Sequence, residues 1–203
     1  MSTETLIMQA GALLFAASSI YFLVSGKNKP GFSTEFFISF ITTTSYSLMS
    51  VGIATVTAPS NQTIYWSRWL FYMIACSLLM YDTAKALQIP DNEYPWMVLL
   101  TWLTMFNGFL ASYITTPMKW IFYILSSVAF VGLLYKVMQG TENPDFKALK
   151  PFVFIGWTLF PIVFLLAPTG FGLLNTATAE AGYLLLDFAT KIVLGIFTSK
   201  LKK

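Results

Sequence analysis

A lysine and a carboxylate stand four residues apart in an otherwise apolar run, Tyr183-Leu-Leu-Leu-Asp187-Phe-Ala-Thr-Lys191-Ile-Val-Leu-Gly-Ile-Phe197. That spacing puts Asp187 and Lys191 on one face of an α-helix. Ionisable groups are costly inside a membrane and are usually functional there. An amine in an apolar pocket can condense with an aldehyde to an imine. A neighbouring carboxylate is the natural partner for that imine once protonated. Read without context, the same two residues also describe a structural ion pair inside a bundle.

The elements that must hold this pair are apolar helices. Of 203 residues, 56% are hydrophobic and 10% are charged, against about 25% charged in an ordinary soluble domain. Seven stretches are long and apolar enough to cross a bilayer, at about 4–25, 34–57, 64–88, 95–114, 117–138, 146–167 and 172–198. Turn chemistry separates them: residues 26–30 (Gly-Lys-Asn-Lys-Pro), 58–62 (Ala-Pro-Ser-Asn-Gln), 90–95 (Pro-Asp-Asn-Glu-Tyr-Pro), Thr116-Pro117, 140–144 (Gly-Thr-Glu-Asn-Pro) and 167–170 (Ala-Pro-Thr-Gly). The expected fold is all-α, a single seven-transmembrane-helix bundle over residues 1–203. Residues 5–25 have no basic segment before them and no cleavage site after them, so they read as the first span rather than a removed leader.

Charge sets the expected orientation. Lys27, Lys29, Lys85, Lys136, Lys147, Lys150, Lys200, Lys202 and Lys203 fall on one side of such a bundle, and Lys119 alone on the other. The positive-inside rule then puts the N-terminus outside and the C-terminus in the cytoplasm of a multi-pass cell-membrane protein. Other functions are excluded or unsupported. One cysteine, Cys76, and no histidine rule out an intramolecular disulfide, a cysteine metal cluster and histidine chemistry, and no metal is expected. The basic residues are scattered, which argues against nucleic acid.

Three stretches carry a family resemblance. The third span reads Tyr65-Trp-Ser-Arg68-Trp-Leu-Phe71-Tyr72-Met-Ile-Ala75-Cys76-Ser-Leu-Leu-Met-Tyr-Asp82, the sixth holds Trp157-Thr-Leu-Phe160-Pro161-Ile-Val-Phe164, and the seventh holds Asp187 and Lys191. In this order and topology the chain resembles the microbial (type 1) rhodopsins over most of its length. The resemblance implies all-trans-retinal held as a Schiff base on Lys191, with Asp187 as counterion. It implies a pocket drawn from Tyr72, Ala75, Cys76, Asn107, Leu110, Tyr123, Trp157, Phe160, Pro161 and Phe164, with Thr190 tuning colour and Cys76 facing the fourth span near Asn107. It also implies a light-driven ion transporter rather than an enzyme, in a lipid bilayer, as a homo-oligomer with a trimer favoured.

Subclasses of that family differ at three positions, here Phe71, Ala75 and Asp82. Phe71 stands where outward proton pumps place a proton-accepting carboxylate. Together with Cys76 and a lone acid at Asp82 it resembles the schizorhodopsin and Antarctic-rhodopsin group, whose pattern is Phe, Ser and Glu and whose members pump protons inward. Ala75 and Asp82 depart from that pattern, which bears on rate more than direction. Asp82 lies eleven residues beyond Phe71, about 16 Å along a helix, toward the cytoplasm. The expected cycle releases the proton inward past Asp82 and refills from outside, while Arg68 stabilises Asp187 from the outer side.

Several of these residues also have plain readings. Arg68 could snorkel to the interface, Asp82 could form a surface pair with Lys85, and Cys76 could be a small buried hydrophobe. Glu180 is expected as an interfacial charge rather than a proton-uptake group, Glu35 as a helix N-terminal charge, and Trp66, Trp69 and Trp96 as interface-belt residues. A photosensor, a light-gated channel and a retinal-free scaffold are the competing functions.

Overall fold

The structure, a computed structural model, describes residues 2–25, 32–60, 62–142 and 147–201. The turn read at 26–30, with Lys27 and Lys29, lies outside the described residues, as do Asn143, Pro144, Lys202 and Lys203.

Among the described residues seven helical rods run up and down: α1 (Thr3–Ser25), α2 (Thr34–Ser50), α3 (Trp66–Ala86), α4 (Tyr94–Tyr113), α5 (Lys119–Gln139), α6 (Leu149–Leu166), and a last rod of α7 (Thr176–Asp187), a π-helical turn (Phe188–Val193) and α8 (Leu194–Leu201). Local chemistry sets the ends. Ser33 caps α2 by accepting from the Phe36 N–H at 3.1 Å, and Asn175 caps α7 by accepting from the Thr178 N–H at 2.8 Å. Pro161 lies inside α6 and removes the backbone donor that would close on the Trp157 carbonyl. By length and composition alone, α1, α5, α6 and the rod Thr176–Ser199 each suffice to cross a membrane.

Span two is shorter than expected. The helix ends at Ser50, Gly52 adopts φ +70°, and Val56–Thr57 (β1) pairs antiparallel with Thr63–Ile64 (β2). Residues 51–57 stay hydropathic, so composition extends the span. The left-handed glycine and the β-branched Val-Thr pair instead turn the chain into a hairpin. This hairpin lies at the end of the bundle where α1 begins, here the N-terminal face.

A close approach positions one site residue. A Cβ on Gly11 would stand 2.5 Å from the Tyr46 ring, so the bare α1 backbone is what admits that ring. Tyr46 is fully buried and stacks on Phe15 with centroids 5.8 Å apart. Toward the opposite face the core is apolar, with Ile38, Leu79, Met80, Val153, Trp157 and Leu194 in one cluster.

Candidate functional site

Lys191 sits in the π-helical turn, 2% exposed, with its Nζ paired to Asp187 Oδ1. Two hydroxyls converge on the other carboxylate oxygen. Tyr46 donates to Asp187 Oδ2 at 2.7 Å, and Tyr72 donates to the same atom. Asp187 is fully buried, so these donors replace the water its charge has lost. The lysine nitrogen also lies 3.6 Å from the Tyr72 ring centroid and 5.9 Å from that of Phe160, where the ring faces favour a cation. An amine is thus held on one carboxylate between aromatic rings, the setting that imine chemistry needs.

Arg68 does not snorkel. It is buried and grips Glu180 with both amino nitrogens, Nη1 donating to Oε1 at 3.0 Å and Nη2 to Oε2, and its guanidinium covers the Tyr183 ring at 4.8 Å. This corrects two expectations. Glu180 is a buried partner rather than an interfacial charge, and Arg68 spends its fork on Glu180 rather than on Asp187. Removing one member of such a pair strands the other charge. Glu180→Gln is therefore expected to destabilise the protein by about 3 kcal/mol, read as a lower Tm, and Arg68→Gln in the same chain should recover much of that loss.

A cavity of about 590 Å³ leads from the N-terminal face to Lys191. Exposed Ser2, Thr63 and Thr176 line its mouth, Tyr65, Arg68, Glu180 and Tyr183 its throat, and Leu79, Met80, Leu133 and Trp157 its closed end. Its middle is bounded by Trp69, Tyr72, Cys76, Tyr123, Phe160, Pro161, Phe164 and Thr190. Phe164 stacks on Tyr123 at 5.4 Å and meets the edge of Trp69 at 6.5 Å, so Trp69 is a wall residue rather than an interface-belt one. Thr190 donates to the Leu186 carbonyl at 2.7 Å, which orients its methyl toward Gly156. The size, the aromatic lining and the amine beside Tyr72 in the middle of the cavity suit a long apolar aldehyde such as retinal.

Three expected pocket positions, Ala75, Asn107 and Leu110, lie off this wall, as does the diagnostic Phe71. Phe71 is half-buried and Ala75 fully buried, and neither lines the cavity, because the rotation of α3 presents Tyr72 and Cys76 instead. On α4 the wall is Thr101, Thr104, Met105 and Gly108, so Asn107 and Leu110 lie to one side, and the Asn107 amide donates to the Leu103 carbonyl at 2.8 Å. Cys76 therefore faces the cavity rather than Asn107. The polar link between α3 and α4 is made next door, where Trp102 Nε1 donates to Ser77 Oγ at 3.1 Å and the Tyr94 hydroxyl to the Ser77 carbonyl at 3.0 Å.

Asp82 lies beyond the closed end, fully buried. The surface pair with Lys85 does not form, because Lys85 Nζ binds Asp91 Oδ1 at 2.6 Å. Sequence reasoning passed over Tyr46. The signal was available in the polar inner face of α2, where Ser39, Thr42 and Tyr46 recur at helical spacing.

The sequence model of the bacteriorhodopsin-like protein family matches residues 2–203. The crystal structure of schizorhodopsin 4 superposes with a TM-score of 0.89 at 36% identity, covering 97% of this chain and 98% of that one. Bacteriorhodopsin of Haloterrigena sp. (strain arg-4) is 26% identical over 95% of this chain and 86% of that protein. Sensory rhodopsin-2 of Haloarcula vallismortis is 22% identical over 87% of this chain and 79% of that protein. Members of the matched family bind retinal through a Schiff base to a lysine, and Lys191 is the fully buried lysine among the described residues. With its rods, its cavity and this match over nearly its whole length, the chain belongs to the bacteriorhodopsin-like family of retinal-binding, multi-pass membrane proteins.

Proposed function

We propose that this protein is a light-driven inward proton pump, with retinal attached at Lys191, the N-terminal face outside and the opposite face cytoplasmic. One observation carries the reading: Lys191 faces a single close carboxylate among the described residues, and both oxygens of that carboxylate are already engaged. Asp187 holds the lysine nitrogen on one oxygen and two tyrosine hydroxyls on the other. With both oxygens engaged by three donors, this carboxylate is geometrically poorly placed to take a further proton from Lys191. On the outer side the next acid, Glu180, is tied to Arg68. The buried carboxylate Asp82 stands toward the cytoplasm.

Retinal, when bound, supplies the absorption of light and the change of shape that re-aims the N–H at Lys191. The chain does the rest. Asp187 holds the proton at Lys191 in the resting state. Leu79, Met80 and Trp157 close the cavity toward the cytoplasm and keep water from leaking through. Asp82 gives the departing proton a destination beyond them. Glu180, Tyr65 and the cavity mouth lead outward and provide the refilling side.

Illuminating cells that express the protein tests this. External pH should rise, and a protonophore should abolish the rise. Asp82→Asn should slow it about tenfold or more, in line with loss of a proton-transfer group. A fall in external pH would overturn the reading. The match to a sensory rhodopsin supports photosensing as a second reading, and a light response with no pH change in either direction would favour it.

A further inference from the structure

Glu35 is a second buried carboxylate on the side assigned to the cytoplasm, and the proposed cycle does not yet use it. It lies in the first turn of α2 and is 3% exposed. A surface helix-start charge that only complements the macrodipole would stay in water. Glu35 instead lies against the last rod. A Cβ on Gly195 would be 3.5 Å from Glu35 Cγ and 3.1 Å from Phe22 Cζ. Gly195 is one helical turn beyond Lys191, so the glutamate stem packs against the last rod one turn from the lysine.

The inner face of α2 connects Glu35 to the lysine site. Glu35, Ser39, Thr42 and Tyr46 follow one another at spacings of four, three and four, all 0–3% exposed. Ser39 shares a hydrogen bond of 3.0 Å with Ser18 of α1, and Tyr46 ends the row on Asp187. Ser45, on the same face beside Tyr46, is fully buried, and its Oγ has no hydrogen-bond partner among the described residues. The same holds for Thr83 Oγ1, next to Asp82 on α3. A buried hydroxyl without a partner is destabilising. One of these two hydroxyls lies beside Tyr46 on α2 and the other beside Asp82 on α3, so each acidic site has a buried polar group next to it that can take part in a hydrogen-bonded path. Thr198, 1% exposed and donating to the Gly195 carbonyl at 3.2 Å, adds a hydroxyl on the α8 side.

We propose that Glu35 is a proton-relay carboxylate of the cytoplasmic exit, reached along the inner face of α2 and acting alongside Asp82. The Lys191 nitrogen gives up one proton. The Glu35 carboxylate takes one up and becomes a carboxylic acid, which then releases it to cytoplasmic water. N–H and O–H bonds are the bonds that change, and no electrons are transferred. This proposal rests on the inward-pump reading.

Light-minus-dark infrared spectra of the retinal-loaded protein in liposomes test it, in an Asp82→Asn background so that Asp82 is silent. A carboxylic-acid C=O band should appear on illumination, vanish in Glu35→Gln and shift in frequency in Glu35→Asp. With Asp82 intact, a pH dye on the cytoplasmic surface should report release about tenfold slower or more in Glu35→Gln, with Glu35→Asp restoring most of the rate. A band that survives Glu35→Gln unchanged, or a dark band that light removes, overturns the proposal. Where Glu35→Gln does not form pigment, an unshifted band in Glu35→Asp overturns it equally. The whole-cell pH change reports the direction of pumping separately, so an outward pump and an uninvolved Glu35 give different results.

Discussion

Lys191→Ala is expected to yield a protein that takes up no retinal covalently and stays colourless. An imine needs a primary amine in its neutral form at the moment of attack, in reach of the aldehyde and sheltered from water. Among the described residues Lys191 is the lysine buried against the cavity, and the others stand near helix ends or loops. Borohydride reduction of the pigment should therefore fix the chromophore on the peptide that contains residue 191 and leave none on the alanine variant. Lys191→Arg should fail in the same way, since a guanidinium stays protonated and forms no imine under these conditions. The fold should survive, because Tyr46 and Tyr72 still donate to Asp187 after the amine has gone. A coloured Lys191→Ala protein with retinal reduced onto another lysine would remove the basis for both the site and the pump.

How far this site could be read from the chain depends on the range of each contact. Lys191 and Asp187 are one helical turn apart, so local geometry joins them and the sequence displays the pair openly. The aromatic wall of α6 is equally local, with Trp157, Phe160, Pro161 and Phe164 on one face. The donors to Asp187 are not local. Tyr46 and Tyr72 lie 141 and 115 residues away, and which tyrosine reaches the carboxylate depends on how α2 and α3 rotate when they pack. The same rotation takes Phe71 and Ala75 off the cavity wall and puts Cys76 on it. The burial of Glu180 is hidden in the sequence for a related reason. Its partner Arg68 lies 112 residues earlier, so along the sequence it is simply an acid near a helix start. The rods were legible because apolar runs and turn residues alternate. The end of α2 was not, because a hydropathy window cannot register one glycine at positive φ.

Asp187→Asn is expected to change both colour and stability, and the arrangement of donors explains why an isosteric change is not mild. The carboxylate offers one oxygen to Lys191 and the other to Tyr46 and Tyr72. Asparagine has one oxygen and an amide NH₂. If its oxygen serves the tyrosines, its NH₂ faces the lysine cation. If it serves the lysine, two buried hydroxyls meet a donor. In the retinal-free protein the stranded cation should cost about 3–5 kcal/mol, which for a chain of this size lowers Tm by roughly 6–20 °C. In the pigment the counterion is gone, and the visible band should move to the red or disappear. Spectra and thermal unfolding of the purified variant read these two effects separately. Lys191→Met in the same chain then separates electrostatics from packing. Removing both charges of a buried pair is often close to neutral, so the retinal-free double variant should recover most of the lost Tm. If it stays as unstable as Asp187→Asn alone, the tyrosines rather than the lysine dominate the energetics of Asp187. Inward release would then depend on the Tyr46–Asp187–Tyr72 contacts rather than on the lysine pair.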